Sequence, residues 1–346
     1  MEYGPSNSTT AQIPVIDLSE ADAQTADQLV KAVAEYGFVF VKGEEMDFTA
    51  QILNDTFALS KAFFASPVEE KEKGGIQANN IGWSSMHAET LDPKNQKRGD
   101  FKEAINIGEF VNGKAQQTLA PTLALYEDNL GHFSVLCHRL CMKLLRLFAL
   151  GLQIDPSKGG EEYFSSRHDP NKGPSGSILR FLHYPAVEKD KCSMDNVVDI
   201  RAGAHSDYGS LTLLFQRASQ PGLEILTPSS IWSPVPICPP GTEADAFPPI
   251  LVNIGDLMHF WTNGLLKSTV HRVVFPEGES EDRYSIAYFC HPLDKVEIEA
   301  VPSKKIKERG KQDERQNGIT ITAEGYLKKR LAETYGWGRR QDAAQD

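Results

Sequence analysis

Three residues in two short stretches have the types and spacing to hold a metal ion. The first stretch is His205-Ser206-Asp207. In an extended strand, residues i and i+2 point to the same face. The His205 imidazole and the Asp207 carboxylate can therefore face one point while Ser206 faces away. Tyr208-Gly209 follows and ends the strand, so the pair sits at a strand end. A third ligand is needed, and His271 within Ser268–Val274 is the best candidate. Two imidazoles and one carboxylate on one side of an ion leave its other positions open. That suits non-haem Fe(II), which must bind O2 and a second ligand together. A His-x-Asp taken alone is more often structural. A second constellation is Arg283-Tyr284-Ser285. Alternation puts Arg283 and Ser285 on one strand face. A guanidinium fork beside a hydroxyl makes a carboxylate clamp. Taken alone, an Arg with a Ser neighbour is usually a solvated surface pair.

These residues need strands to hold them, and the sequence supplies strands in the right half. From Ser177 to Ile298 the chain reads as short segments punctuated by Gly, Pro, Asn and Asp. They are Ser177–Tyr184, Ala202–Asp207, Ser210–Gln216, Leu223–Thr227, Ile250–Ile254, Leu257–Trp261, Ser268–Val274, Arg283–Phe289 and Lys295–Ile298. That spacing suggests a sandwich or jelly roll. The first half reads differently. Ile13–Asp17 and Phe38–Val41 are apolar strands. Ala21–Tyr36, Phe48–Ala65 and Pro121–Leu152 carry apolar residues at helical spacing, and Gly37 ends the first helix. Met1–Gln12 reads as a disordered tail, Ser303–Asn317 as a charged connector and Thr322–Tyr335 as a last amphipathic helix. The expected architecture is mainly β with flanking helices, one domain over 1–346. Within it, residues 13–170 form an N-terminal helical region, 175–300 the jelly-roll core and 301–346 a C-terminal tail and helix wrapping it.

Composition narrows the function. Lys plus Arg is 36 and Asp plus Glu is 47, a formal charge of −11 over 346 residues. That sign argues against duplex nucleic acid, whose binding rests on cationic side chains, and against an anionic membrane surface. No apolar run approaches the roughly 20 residues that span a bilayer. The expected partner is a small molecule, with no nucleic acid, membrane or obligate protein partner. Five scattered cysteines argue against a disulfide framework and point to a reducing compartment, read here as the cytoplasm.

Together the motifs resemble the isopenicillin-N-synthase-like family of 2-oxoglutarate- and Fe(II)-dependent dioxygenases. The stretches that carry the resemblance are His205-Ser-Asp-Tyr-Gly-Ser-Leu-Thr-Leu-Leu214, Asn253-Ile-Gly-Asp256, Ser268-Thr-Val-His-Arg-Val273 and Arg283-Tyr-Ser285. Leu179-Arg-Phe-Leu-His-Tyr-Pro185, Ile13-Pro-Val-Ile-Asp-Leu18, Tyr36-Gly-Phe38 and Asp100-Phe-Lys-Glu103 extend it over about residues 13 to 300. The resemblance implies a double-stranded β-helix. It implies iron held by His205, Asp207 and His271. It also implies 2-oxoglutarate bound through its distal carboxylate by Arg283 and Ser285, with Tyr184 reaching it near the metal. O2 would oxidatively decarboxylate the cosubstrate to succinate and CO2, and an aliphatic C–H of the substrate would be attacked. Asp207 disfavours halogenation, since family-like halogenases lack that carboxylate.

The sequence departs from the family pattern in places. Leu182 stands two residues before Tyr184, where plant members often have Asn. Gly43-Glu-Glu45 replaces the usual His-Gly, and Cys238–Pro249 looks like an insertion. Arg-x-Ser also occurs in relatives that use no 2-oxoglutarate, so an oxidase needing only Fe(II) and O2 competes with the leading reading. A non-enzymatic binding relative is opposed by the complete triad. A zinc hydrolase would bring a helical pair such as His-Glu-x-x-His, absent here.

Other polar residues are assigned bland roles. Cys137 and Cys141, one turn apart beside His138, read as buried small side chains. His168 and Asp169 face opposite sides of an extended chain. His183 should point away from the site, and His259 reads as core. The run Lys304-Lys-Ile-Lys-Glu-Arg309 reads as a solvated connector. Substrate-facing candidates are Trp83, Met86 and His87 in the long segment Gly74–Gly99, then Phe101, Phe289 and His291. Long connectors are often lids, so this segment is expected to close over substrate with Trp83 facing the metal.

Overall fold

The computed structural model of the chain describes residues 10–42, 47–186, 200–276, 281–308 and 321–335. Gly43-Glu-Glu45, Cys192 and most of the charged connector after residue 308 fall outside those residues, as does the tail before residue 10. Ala11 is buried and donates its N–H to Pro234 O at 2.9 Å, so the end of the expected tail packs on the body.

The first half builds the outer layer. It runs β1 (Val15–Ile16), α1 (Ala23–Glu35), β2 (Phe38–Val41), α2 (Ala50–Phe64), α3 (Val68–Glu72), β3 (Gly82–Ser84), β4 (Glu103–Ile107), β5 (Phe110–Val111), β6 (Lys114–Ala115), α4 (Pro121–Ala124) and α5 (Glu127–Gly151). The Asp22 side chain caps α1 by accepting from Thr25 N at 2.8 Å. Gly37 turns the chain into β2 with φ +72, and a Cβ there would lie 2.3 Å from Thr269 Oγ1. Both the backbone angle and the space demand glycine. The expected helix 121–152 is divided because Tyr126 (φ −123, ψ 27) leaves the helical region between α4 and α5.

The second half runs α6 (Glu162–Ser165), β7 (Ile178–Tyr184), β8 (Ala202–His205), β9 (Leu211–Gln216), β10 (Leu223–Leu226), β11 (Trp232–Pro234), β12 (Ile250–Ile254), α7 (Asp256–Trp261), β13 (His271–Val273), β14 (Arg283–Cys290), α8 (Lys304–Lys307) and α9 (Ala323–Tyr335). Two of the expected strands are corrected. Leu257–Trp261 is the body of α7, since a short apolar run has no periodicity to separate strand from helix. Lys295–Ile298 forms only a single bridge, Glu297 to Thr322.

An eight-stranded sheet has the order β1-β2-β12-β9-β14-β7-β4-β3, and a four-stranded sheet has the order β11-β10-β13-β8. Strand alternation sorts the large sheet's side chains into two cores. Phe38, Phe40, Leu182, Tyr184, Leu251 and Ala287 pack with Ala202, Leu223, Ile225 and Val273 of the small sheet. Val39, Val41, Leu179, Phe181, Ile286 and Tyr288 pack on the other face with α1, α2 and α5. This is the double-stranded β-helix with flanking helices. The large sheet is shared by strands from both halves of the chain.

Candidate metal centre and the cavity beside it

The metal candidates meet where the small sheet ends. β13 pairs with β8 so that His271 lies directly across from His205. Asp207 is two residues past β8. Its Oδ1 is 3.9 Å from His205 Nε2 and 3.8 Å from His271 Nε2. All three ligand atoms lie within 4.8 Å of one another. The two imidazoles are oriented through their other nitrogens. His205 Nδ1 is 2.7 Å from Gly203 O, and His271 Nδ1 is 3.1 Å from Thr269 O. A carbonyl can only accept, so each Nδ1 carries the proton and each Nε2 presents a lone pair. Asp207 is oriented likewise. Thr212 Oγ1 donates to its Oδ2 at 2.6 Å and Asn253 Nδ2 at 2.7 Å, leaving Oδ1 for the ion.

The motif glycines explain how this loop is fixed. A Cβ at Gly255 would lie 2.2 Å from Gly209 O, so the two backbones touch. Beyond that contact, Asp256 N donates to Asp207 O at 2.7 Å and Leu257 N to Tyr208 O at 3.3 Å. The first turn of α7 thus holds the loop that carries Asp207, which a strand at 257–261 would not do. Burial, with the neighbouring His271, lowers the His205 pKa to about 4, so the ring stays neutral and able to coordinate. Burial alone would raise Asp207; the two imidazoles and its two hydrogen-bond donors outweigh that and lower it. Two imidazole nitrogens and one carboxylate oxygen on one side of a point fit Fe(II).

The Arg283 guanidinium is almost fully buried between the sheets. It donates to Ser285 Oγ at 3.3 Å, Gln216 Oε1 at 3.1 Å and Gln220 O at 3.1 Å, and lies 5.0 Å from the Tyr184 ring centroid. Arg283 and Tyr184 are direct cross-strand partners on β14 and β7.

A cavity of about 90 Å³ opens beside the triad. Tyr184, Phe289 and His291 line it, as the alternation of β7 and β14 implied. Burial holds the His291 pKa to about 4, so it is neutral there. Trp83, Met86, His87 and Phe101 are not brought to the cavity. β3 pairs Trp83 with Ile105, which puts its ring on the helix side of the sheet. There its indole N–H donates to Glu103 Oε2 at 2.9 Å, and Lys71 lies over its ring. His87 bonds Gly99 O at 2.8 Å and packs edgewise on Phe101. The segment 74–99 reaches the cavity through Asn80, Glu89 and Leu91 instead.

The cavity has further walls that local sequence patterns do not mark. Leu327, Leu331 and Thr334 of α9 cover one side, and Glu89, Lys102 and Arg180 form another. Arg180 was open to inference, since it shares the inner face of its strand with Leu182 and Tyr184. α9 is tied down by an Arg330–Asp256 ion pair and a Tyr208–Thr334 hydrogen bond. Asp256 also accepts from Ser206 Oγ at 2.9 Å, so α9 reaches the loop bearing Asp207. Most residues given bland roles hold to them, but Lys304–Lys307, expected as a solvated connector, forms α8 and buries Ile306 in the core. His183 bridges Glu103 and Asp282 away from the cavity. His168 is buried between Phe164 O and Ser210 Oγ, and His259 bonds Leu266 O. Cys137 and Cys141 are fully buried, which pushes both thiols well up.

The chain is similar to known proteins. Residues 13–125 match the family described as non-haem dioxygenase in morphine synthesis N-terminal, and 175–292 match the 2OG-Fe(II) oxygenase superfamily. The chain is 35% identical to a UPF0676 protein of Schizosaccharomyces pombe over 94% of both chains. It is 31% identical to the proline hydroxylase buaE of Petromyces alliaceus, covering 89% of this chain and 92% of that one. Among solved structures, a full-length Neurospora crassa protein in complex with alpha-KG and thymine superposes with a TM-score of 0.73 at 31% identity, over 93% of this chain and 96% of that one.

Proposed function

From the premise that this chain belongs to the 2OG-Fe(II) oxygenase superfamily, and is a dioxygenase using Fe(II), 2-oxoglutarate and O2, we propose that it oxidises an aliphatic C–H of a small organic metabolite. The outcome is hydroxylation, desaturation or ring formation, with succinate and CO2 as co-products. The convergence of His205, Asp207 and His271 beside a cavity is the observation that carries this reading. Iron held by these residues would supply the chemistry of O2 activation coupled to decarboxylation of the cosubstrate.

The chain's own residues hold, orient and exclude. His205, Asp207 and His271 hold the metal through Nε2, Oδ1 and Nε2. The Arg283 fork, with Ser285 beside it, binds the distal carboxylate of 2-oxoglutarate, a geometry that a guanidinium meets with two parallel donors. Tyr184 flanks that anion under the guanidinium. Leu182, Phe289, Leu327 and Leu331 keep water from the substrate, which protects the reaction from wasted turnover. We also read the chain as one catalytic unit, since one sheet takes strands from both halves. The described residues hold no helix long and apolar enough to cross a membrane, and we assign the enzyme to the cytoplasm with no nucleic-acid, membrane or obligate protein partner. Thymine in the Neurospora crassa structure and the proline of the Petromyces alliaceus enzyme's name support a small nitrogen-containing substrate.

The test is product formation. With Fe(II), ascorbate and O2, the protein should convert 2-oxoglutarate to succinate, faster with its substrate present, and His205→Ala should abolish it. Substrate oxidation at full rate without 2-oxoglutarate would overturn the reading.

A further inference from the structure

Four charged side chains, Glu89, Asp100, Lys102 and Arg180, cluster at one wall of the cavity. Arg180 pairs with Glu89 Oε1, which also accepts from Ser84 Oγ at 3.1 Å. Lys102 Nζ lies 3.1 Å from Glu89 Oε2 and pairs with Asp100. Asp100 Oδ1 in turn accepts from Gln96 Nε2 at 2.8 Å and from Gly203 N at 3.0 Å. The Arg180 side chain is 13% exposed, Glu89 and Lys102 are 3% and Asp100 is 0%. Burying ions is expensive even when they pair, and apolar residues would fill a barrel more cheaply. Glu89, Lys102 and Arg180 nonetheless line the cavity.

Strand spacing separates Arg180 from the cosubstrate, whereas Lys102, one residue before the Glu103–His183 pair, lies level with Tyr184. Tyr184 is the cross-strand partner of Arg283, and Arg180 lies four residues back along the same strand. At about 3.3 Å per residue that is roughly 13 Å. 2-Oxoglutarate is a five-carbon dicarboxylate that must reach from the metal to Arg283. It does not extend the other way to Arg180, so what meets Arg180 is the substrate. The sum of charges then sets the substrate's character. Arg180 and Lys102 are matched by Glu89 and Asp100, so the wall has no net charge to offer. A carboxylate placed there would be buried without a compensating charge, the costliest outcome. A neutral carbonyl with an adjacent N–H can accept from Arg180 and face Glu89, while Phe289, Leu327 and Leu331 enclose its apolar part.

We propose that Arg180, held by Glu89, is the specificity-determining residue of this site, and that it selects a neutral amide-, lactam- or imide-bearing small molecule over a carboxylate of the same shape. The proposal rests on the reading of the site as a 2-oxoglutarate-dependent oxygenase, and the experiment separates the two. The Fe(II)–2-oxoglutarate holoenzyme is prepared anaerobically and its visible chelate band recorded. Cyclopentanecarboxamide and cyclopentanecarboxylate are then titrated in, and binding is read from the change in that band. The carboxamide should bind at least about tenfold more tightly than the carboxylate. Arg180→Met should weaken the carboxamide by at least about tenfold while the chelate band still forms. Because that variant leaves Glu89 with Lys102 but without its Arg180 partner, Arg180→Met with Glu89→Gln is measured beside it and should behave the same way. Equal or tighter binding of the carboxylate, binding of neither probe, or full carboxamide affinity in the double variant would overturn the proposal. Absence of the chelate band in the unsubstituted protein would overturn the parent reading instead.

Discussion

Replacing Thr212 by Val changes one oxygen and almost nothing of the side chain's shape. Thr212 Oγ1 is one of two donors to Asp207 Oδ2, at 2.6 Å, with Asn253 Nδ2 the other at 2.7 Å. Thr212 is 4% exposed and Asp207 7%, so water has little access to replace the lost donor. A hydrogen bond to a charged group contributes about 1.5–3 kcal/mol. Independently, losing an outer partner of a metal ligand weakens metal binding about 10–100-fold, or roughly 1.4–2.8 kcal/mol. The two ranges agree, because both describe a carboxylate whose free oxygen is no longer aimed. Thr212→Val should therefore raise the Fe(II) dissociation constant by about 10–100-fold. Thr212→Ser keeps the hydroxyl and should bind almost as the unsubstituted protein does. The assay is an anaerobic Fe(II) titration of each variant, with circular dichroism to show that the fold is intact. Wild-type affinity in the Val variant would refute the idea that these bonds aim the ligand. A Ser variant as weak as the Val variant would show that shape, not the hydroxyl, matters.

Other perturbations have equally definite outcomes. Arg283→Lys should raise the KM for 2-oxoglutarate steeply, because a point charge does not reproduce the two-donor fork; an unchanged KM in a succinate assay would remove Arg283 from cosubstrate binding. Trp83→Ala should lower stability by about 3–5 kcal/mol, since the ring is core and its N–H bonds Glu103. Denaturant unfolding reads this, and a normal midpoint with uncoupled decarboxylation would restore Trp83 to the cavity. Stability should also fall in acid. Burial lowers the His168 pKa from 6.5 to about 3, so between those values the unfolded chain binds a proton that the native state refuses. The loss should begin as pH falls below about 6.5, grow toward pH 3 and reach a few kcal/mol. His168→Asn should flatten that part of the profile, and an unaltered profile would contradict the assignment.

The proposed iron ligands were legible in the sequence because their geometry is local. His205 and Asp207 share a face by strand alternation alone, and a single register brings His271 across from them. The same alternation placed Phe289 and His291 at the cavity. Trp83 was misplaced because its face depends on β3 pairing with β4, a contact that neither segment announces. α7 was misread for a similar reason. A short apolar run fits either periodicity, and only docking of its first turn onto Asp207 O and Tyr208 O settles the choice. The charged wall was least visible. Glu89, Lys102 and Arg180 lie in a loop, a strand edge and a strand interior, and each looks ordinary until the fold buries them together. α9 was foreseen as a helix, but its seat over the cavity depends on Arg330 finding Asp256.

On the proposed function, His205, Asp207 and His271 would hold Fe(II), and Arg283 would hold the far carboxylate of 2-oxoglutarate. Anaerobic addition of Fe(II) followed by 2-oxoglutarate tests this most directly. A weak visible charge-transfer band should appear only when both are present and saturate at one equivalent of iron. It should be absent in Asp207→Ala and need far more 2-oxoglutarate in Arg283→Lys. No band in the unsubstituted protein, or an undiminished band in Asp207→Ala, would contradict the assignment.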